Sequence, residues 1–413
     1  MTSATTSPEN TPAWFGEPVL RLLVAGSLLN SVAFFASLPF LSLYLSRISR
    51  LPDVAIGAAV GSVALIAALG GVLGGVLTDR LGAVPLVLAG LTLYILAYLS
   101  LSLTEQVPVV IGLVLLLGVG RLLVEPSMKK LLSLAAADNG SAVFRIRYAT
   151  ICVGAIVGPL VGAALYTASA DLIFVLPAGV FALYLALVSR NAARLAAVDT
   201  PAEDGGRASL GTAMRDRTLL LVVAGGFVVF FVFSQFESIL PLFIQNERGD
   251  AAAGYFSMML AANAALGIVM QYPAQRLSRW LDTTTMALVS CVAFAVSLLL
   301  FGLLPVHPAF AYFGVLAWTA GEAVLLPLPD VLIHDHAPRE RRGSYFGLAE
   351  LRYLGFFLGP VAGGALLARG DWVYFGLLAV VIFVAWPLLA VPAWRIEAAV
   401  ATRCAERVHT EKG

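Results

Sequence analysis

The chain has 413 residues, 60% of them hydrophobic and 12% charged, against about 45–50% apolar and about 25% charged in a soluble domain. That balance excludes an ordinary globular protein; at about 20 mostly apolar residues per membrane-crossing helix, twelve spans take roughly 240 residues and leave about 14 for each connection. Twenty-six basic side chains against 25 acidic ones give a net charge of +1, so no global field points to nucleic acid or to anionic substrates.

The first sixteen residues, MTSATTSPENTPAWFG, are polar and lack a basic region, and the apolar stretch behind them is too long for a signal-peptide core. No cleaved signal is expected, and 1–16 is predicted to be a cytoplasmic tail. Apolar runs between polar punctuation predict helices near 17–45, 53–78, 84–103, 108–136, 143–170, 172–190, 218–246, 252–278, 282–304, 308–336, 342–369 and 371–395. The fold class is therefore an all-α polytopic membrane protein: a six-helix half at 17–190, a linker at 191–217, a second six-helix half at 218–395 and a tail at 396–413. Arg47, Arg50, Arg248 and Arg369 lie in odd-numbered loops, Arg121 and Arg352 lie within spans, and the other twenty basic residues lie in even-numbered loops, termini and flanks. Because Lys and Arg accumulate on the cytoplasmic side, both termini and the linker are expected there.

The halves resemble each other. GAIVGPLVG, Gly154 to Gly162 in span five, matches GFFLGPVAG, Gly355 to Gly363 in span eleven, at an offset of 201 residues. At that offset Pro126 meets Pro327, and at 202 Leu38-Pro39 meets Leu240-Pro241. Gly154, Gly158, Pro159 and Gly162, with Gly355, Gly359, Pro360 and Gly363, are expected to be helix-packing motifs, because small residues at four-residue spacing let helices approach closely.

Charges inside spans are costly and face the bundle interior or a water cavity, so they mark the candidate site. Arg121 and Glu125 are one turn apart on span four and share a face; either they neutralise each other, or Arg121 meets Glu322, its equivalent in span ten, across the cavity. Glu237 in span seven has no basic residue within ten positions on either side. Burial without a partner favours the neutral carboxyl, so Glu237 is the first proton-coupling candidate, with Glu125 and Glu322 as alternatives and a neutral core acid as the bland reading. Glu350 and Arg352, two residues apart, each point to a neighbouring helix rather than to one another. His334, Asp335 and His336 are expected to form a hydrated helix end rather than a metal site. Asn30, Phe34, Phe35, Gln235 and Asn263 are candidates for a substrate cavity, with Phe230, Phe231, Phe236 and Phe256 as aromatic lining or lipid-facing residues. Cys152, Cys291 and Cys404 fall singly, without disulfide or metal-ligand spacing. No nucleophile elbow, phosphate loop or paired catalytic His/Cys pattern occurs, so no cofactor, metal or enzymatic role is expected.

The loop after span two reads GVLTDRLG from Gly75 to Gly82, and with it the chain resembles a major facilitator superfamily transporter along its whole length. The GPxxG of span five resembles the motif of that superfamily's drug/proton antiporters, Arg121 resembles their intramembrane arginine, and the segments Asp79 to Pro85, Glu125-Pro126 and RGSYFG (Arg342 to Gly347) are similar to the MdtH-like multidrug exporters. The departure is Ala83-Val84, where the superfamily signature continues with basic residues. The resemblance implies that Gly75, Asp79, Arg80 and Gly82 form a gating loop that holds one half against the other; the plainer alternative is a solvated loop pair. It also implies a proton-coupled exporter of amphiphilic small molecules, working as a monomer in the inner membrane with substrate, protons and lipid as partners and no nucleic acid. A dedicated exporter of an endogenous metabolite such as a siderophore, an uptake symporter, and a membrane-embedded enzyme or sensor are the rivals.

Overall fold

A computed structural model describes residues 17–410 except 52, 137–139, 170, 200–206 and 250–251. The predicted tail at 1–16 and the last three residues lie outside that set. The first half is α1 (Pro18–Ile48), α2 (Asp53–Leu81), α3 (Ala83–Leu101), α4 (Val107–Ala135), α5 (Gly140–Ala168) and α6 (Leu172–Arg190). Two short helices follow in the linker, α7 (Ala192–Val198) and α8 (Arg207–Arg215). The second half is α9 (Arg217–Ser238), α10 (Leu240–Arg248), α11 (Ala252–Val269), α12 (Gln271–Leu277), α13 (Thr283–Gly302), α14 (Ala309–Leu325), α15 (Leu328–His336), α16 (Arg342–Ala349), α17 (Tyr353–Leu367) and α18 (Asp371–Thr410).

These elements make twelve crossings, because a bilayer offers the backbone no partner and each crossing must satisfy its own N–H and C=O groups. Among the described residues ten spans are long and apolar enough to cross; α11 and α12, bent by 43°, make one more, and α16 with α17, joined by a 3-10 turn at 350–352, completes the set. The spans formed by α9–α10, α11–α12, α14–α15 and α16–α17 are interrupted, whereas their equivalents α1, α2, α4 and α5 run through. Proline explains part of this, since it removes a ladder hydrogen bond: Pro241 follows the break at Ile239, and Pro327 stands in the break of α14–α15. Its equivalent Pro126 is absorbed inside α4. The predicted tail from 396 is no separate segment, since α18 continues unbroken to Thr410.

The same packing recurs in each half. α1 lies on α5 and α6, α2 on α4, and α3 on α4 and α6; six crossings later α9 lies on α17 and α18, α11 on α14, and α13 on α14 and α18. Glycines decide the closest of these. A Cβ on Gly154, Gly158 or Gly162 would collide with α1 at Ser31, Phe35 and Ala36, and one on Gly355, Gly359 or Gly363 would collide with α9 at Phe227, Ser234 and Gln235. Between the halves, α16 packs on α2, and α11 and α12 pack on α5. On the outside Leu73, Val380 and Trp394 are about two-thirds exposed, an apolar surface for lipid to cover.

Candidate functional site

The polar contacts that cross between the halves cluster toward the end of the bundle that carries the linker. On α2, Asp79 is fully buried. Its carboxylate accepts the backbone N–H groups of Gly343 (2.8 Å) and Ser344 (2.7 Å), at the start of α16. Orphan amides and the helix dipole make that end a natural partner for negative charge. The approach is possible because Gly75 and Gly347 meet backbone to backbone, and a Cβ on Gly75 would run into the Gly343 carbonyl. Lys130 stands 3.4 Å from the same carboxylate. Gly82 turns the chain with φ +86°, a conformation that favours glycine, while Arg80 is exposed.

Deeper between the halves lies a buried charge network. Lys129, without exposed surface, donates to Glu350 at 2.5 Å and stands 3.7 Å from Asp330, which in turn accepts from Arg352 at 2.8 Å. Tyr353 lies under three cations, Arg121 (5.8 Å), Lys129 (5.9 Å) and Arg352 (5.4 Å from the ring centroid). Buried charges persist only when paired, and removing one partner strands the other. Lys129 and Asp330 are 201 positions apart, as are Ser133 and His334, which share a 2.7 Å hydrogen bond. Residues equivalent in the repeat therefore touch one another, which places them on the pseudo-two-fold axis.

Glu322 on α14 forms the second centre. It is 5% exposed and accepts from Tyr148 of α5, in the other half, and from Asn263 of α11 at 2.7 Å. Asn263 also donates to Thr319 at 2.9 Å. Glu237 is solvent-exposed near the far end of α9 and lies within electrostatic reach of Glu322. Among the described residues no cation stands within 4.0 Å of either carboxyl.

Several sequence expectations land elsewhere. Arg121 pairs neither with Glu125 nor with Glu322; its guanidinium lies 4.8 Å over Phe34, and Glu125 pairs instead with Arg147 at 2.6 Å while accepting from Asn30 at 3.3 Å. Glu237 is not a buried acid. Gln235 is turned into the second half, bonded to the Phe231 carbonyl and to Tyr374, because the small Gly363 leaves room on that side. Phe35 packs beneath Gly158 and Phe236 stacks on Trp318, so both serve helix packing, as does Phe230 against Tyr353. His334 is 3% exposed rather than hydrated, since it meets Ser133 and lies against Gly140; His336 pairs with Asp216. Glu350 and Arg352 do turn to different helices. Among the described residues no group of three His, Cys, Asp or Glu could hold a metal ion. Arg147, Tyr148, Lys129, Lys130 and Asp330 belong to the site although the sequence marked them only as flanking charges or ordinary span residues. The 201-residue offset, which joins Lys129 to Asp330, was the signal that could have found those two.

A twelve-span bundle of two equivalent halves, joined at one end by a buried charge contact and carrying an acid, Glu322, without a cation beside it among the described residues, has the architecture of a membrane carrier. The chain belongs to the major facilitator superfamily: residues 23–353 match that family. It is 24% identical over 382 residues to the uncharacterized MFS-type transporter YqjV of Bacillus subtilis, covering 90% of this chain and 93% of that protein. It is 28% identical to the multidrug resistance protein MdtH of Aeromonas hydrophila, over 83% of this chain and 86% of that one. Among solved structures it resembles a bacterial homologue of the iron transporter ferroportin in its outward-facing state, with a TM-score of 0.76 and 16% identity over 92% of this chain and 100% of that one. It also resembles FucP in the outward conformation, with a TM-score of 0.69 and 16% identity over 90% and 98%. The protein is a multi-pass membrane transporter.

Proposed function

We propose that this transporter exports amphiphilic small molecules from the cell in exchange for protons, in the cytoplasmic membrane, with its linker end facing the cytoplasm. The excess of basic residues in even-numbered loops and the linker over the four in odd-numbered loops supports that orientation. The state described is then closed to the cytoplasm and outward-facing, with Glu237 open to the outside. The kinship with MdtH, a multidrug resistance protein, supports export.

The observation that carries proton coupling is the hydrogen bond from Tyr148 of one half to Glu322 of the other. A bond to an ionised carboxylate is about twice as strong as a neutral one, so a proton arriving on Glu322 loosens a contact that holds the cytoplasmic side shut. Entry of a proton from outside thereby favours opening to the inside, the step an antiporter needs to reload. Glu237 stands between that acid and the outside, and Glu125 is a poorer carrier because Arg147 holds its charge.

The test is Glu322→Gln in the full chain reconstituted in liposomes. It should bind substrate and exchange it at equal pH on both sides, yet lose pH-driven accumulation. Glu237→Gln should slow loading and keep part of the accumulation. Full proton-driven export by Glu322→Gln, with loss in Glu237→Gln or Glu125→Gln, would move the coupling role to that other acid.

A further inference from the structure

The linker reaches into the gate. α7 packs on α3, α4 and α6, with Leu195 fully buried, and delivers Asp199 to the junction of α2 and α3. There Asp199 Oδ2 accepts the backbone N–H of Ala83, the first residue of α3, and would sit 3.0 Å from a Cβ at Gly82. Its other oxygen stands 3.2 Å from Lys130 Nζ. Lys130 has no exposed surface and is shared between two carboxylates, Asp199 and Asp79 at 3.4 Å. Among the described residues neither Lys130 Nζ nor Asp199 Oδ1 has a hydrogen-bond partner beyond this ion pairing.

We propose that Asp199 is a positioning residue of the gate: by holding part of the Lys130 charge, it leaves the Asp79 carboxylate to the amides of α16 and so favours the closed state. The effect is a difference between two states and rests on the switch from outward-facing to inward-open proposed above. While the halves are joined, the Gly343 and Ser344 amides satisfy Asp79. When they part, those amides leave with the second half, and Lys130, Asp79 and Asp199 remain together in the first. A Lys130 freed from Asp199 would stabilise the parted Asp79 more than the joined one, because the joined one is already satisfied. A ligand or charge shifts a two-state equilibrium only by its difference between the states.

The experiment uses the full chain in liposomes, with Cys404→Ser, the buried Cys152 and Cys291 retained, and spin labels at Leu81 and Arg339, both exposed on either side of the gate. Asparagine keeps the acceptor for Ala83 and removes the charge. Asp199→Asn should raise the ratio of long to short distances roughly tenfold over wild type, Asp199→Glu should restore it, and in a Lys130→Met background Asp199→Asn should change nothing further. An unshifted distribution in Asp199→Asn overturns the proposal, and so does a shift that persists without Lys130. Gly75→Ala separates the two levels. If it opens the gate while Asp199→Asn does not, only the Asp199 role fails. If wild type, Asp199→Asn and Gly75→Ala all show one short distance at every pH, the two-state reading fails with it.

Discussion

The two seams between the halves, α2 against α16 and α5 against α11, are equivalents in the internal repeat, yet they close by different chemistry. At the first, glycines bring two backbones together and a buried carboxylate caps the opposing helix. Shifting Asp79 by the 201-residue offset leads to Trp280, whose side chain is 81% exposed, and the nearby Asp282 spends its carboxylate on Thr285 of its own helix. The second seam rests on Gly267 against Cys152, on a 3.2 Å hydrogen bond from Arg145 to Ser278 and, beside them, on the bond from Tyr148 to Glu322. Packing partners recur where the repeat dictates, while among the described residues a buried carboxylate that caps the opposing helix occurs on the first side only. A charge contact is strong when dry and replaceable when water or a spare cation reaches it, so the first seam suits a latch, while the second joins side-chain packing to the Glu322 contact.

The sharpest way to break this contrast is to add one methyl group to each seam. In Gly75→Ala the new Cβ meets backbone, the Gly343 carbonyl, which cannot move aside without displacing α16; overpacking of this kind costs about 1–3 kcal/mol or more. Transport should fall to less than about a tenth of wild type. In Gly267→Ala the Cβ meets the Cys152 sulfur at 2.9 Å, the end of a side chain rather than backbone, and transport should stay within about twofold. Equal losses would show that both seams work as gates.

Asp79→Asn tests the charge alone. Hydrogen bonds to a charged group contribute about 1.5–3 kcal/mol each, against about 0.5–1.5 for neutral ones, and Asp79 makes two of them with no exposed surface. The closed-to-open ratio should fall about thirtyfold, an effect of about 2 kcal/mol, with membrane insertion unchanged. A solvated loop pair would have given at most about 1 kcal/mol; burial is what raises the expectation. Trp280→Ala, at the equivalent position, should leave the ratio within about twofold, as expected for a surface substitution.

The bundle was legible because a bilayer imposes long apolar runs, and the repeat because glycine and proline mark close approach and breaks. Arg121, Glu125, Asp79 and Glu322 stood out as charges in or beside apolar sequence. What escaped was pairing. Arg147 and Lys129 sit near span ends, where a hydrated flank is the simplest reading, and nothing local says that Arg147 turns inward to Glu125 or that Lys129 meets Glu350, 221 residues away. Asp199, in a polar linker, gave no hint that it enters the bundle. Isolation in sequence says nothing of exposure for Glu237, since which face of a span lines the open gap depends on how the halves are docked.

The smallest effect expected concerns Asp216, which stands behind the charged seam inside one half. Its carboxylate caps α9 through the N–H groups of Thr218 (2.9 Å) and Leu219 (3.2 Å), pairs with His336 of α15 at 2.7 Å and accepts from Tyr345 of α16 at 2.8 Å. Partial burial pushes this acid up, but the bonds from His336, Tyr345 and the α9 amide outweigh it and hold it down at about 2, below the ordinary 3.8. A carboxyl depressed in the folded state stabilises above its unfolded value and loses that contribution as pH falls through its folded one. Asp216→Asn should therefore lower Tm in detergent by about 2 °C at pH 7, and the gap from wild type should shrink between about pH 4 and pH 2. Because every one of these bonds lies within the second half, the distance between labels at Leu81 and Arg339 should not move. A shifted distance would mean that the brace behind α16 is part of the gate, and the charged seam would then extend further than Asp79 and its two amides.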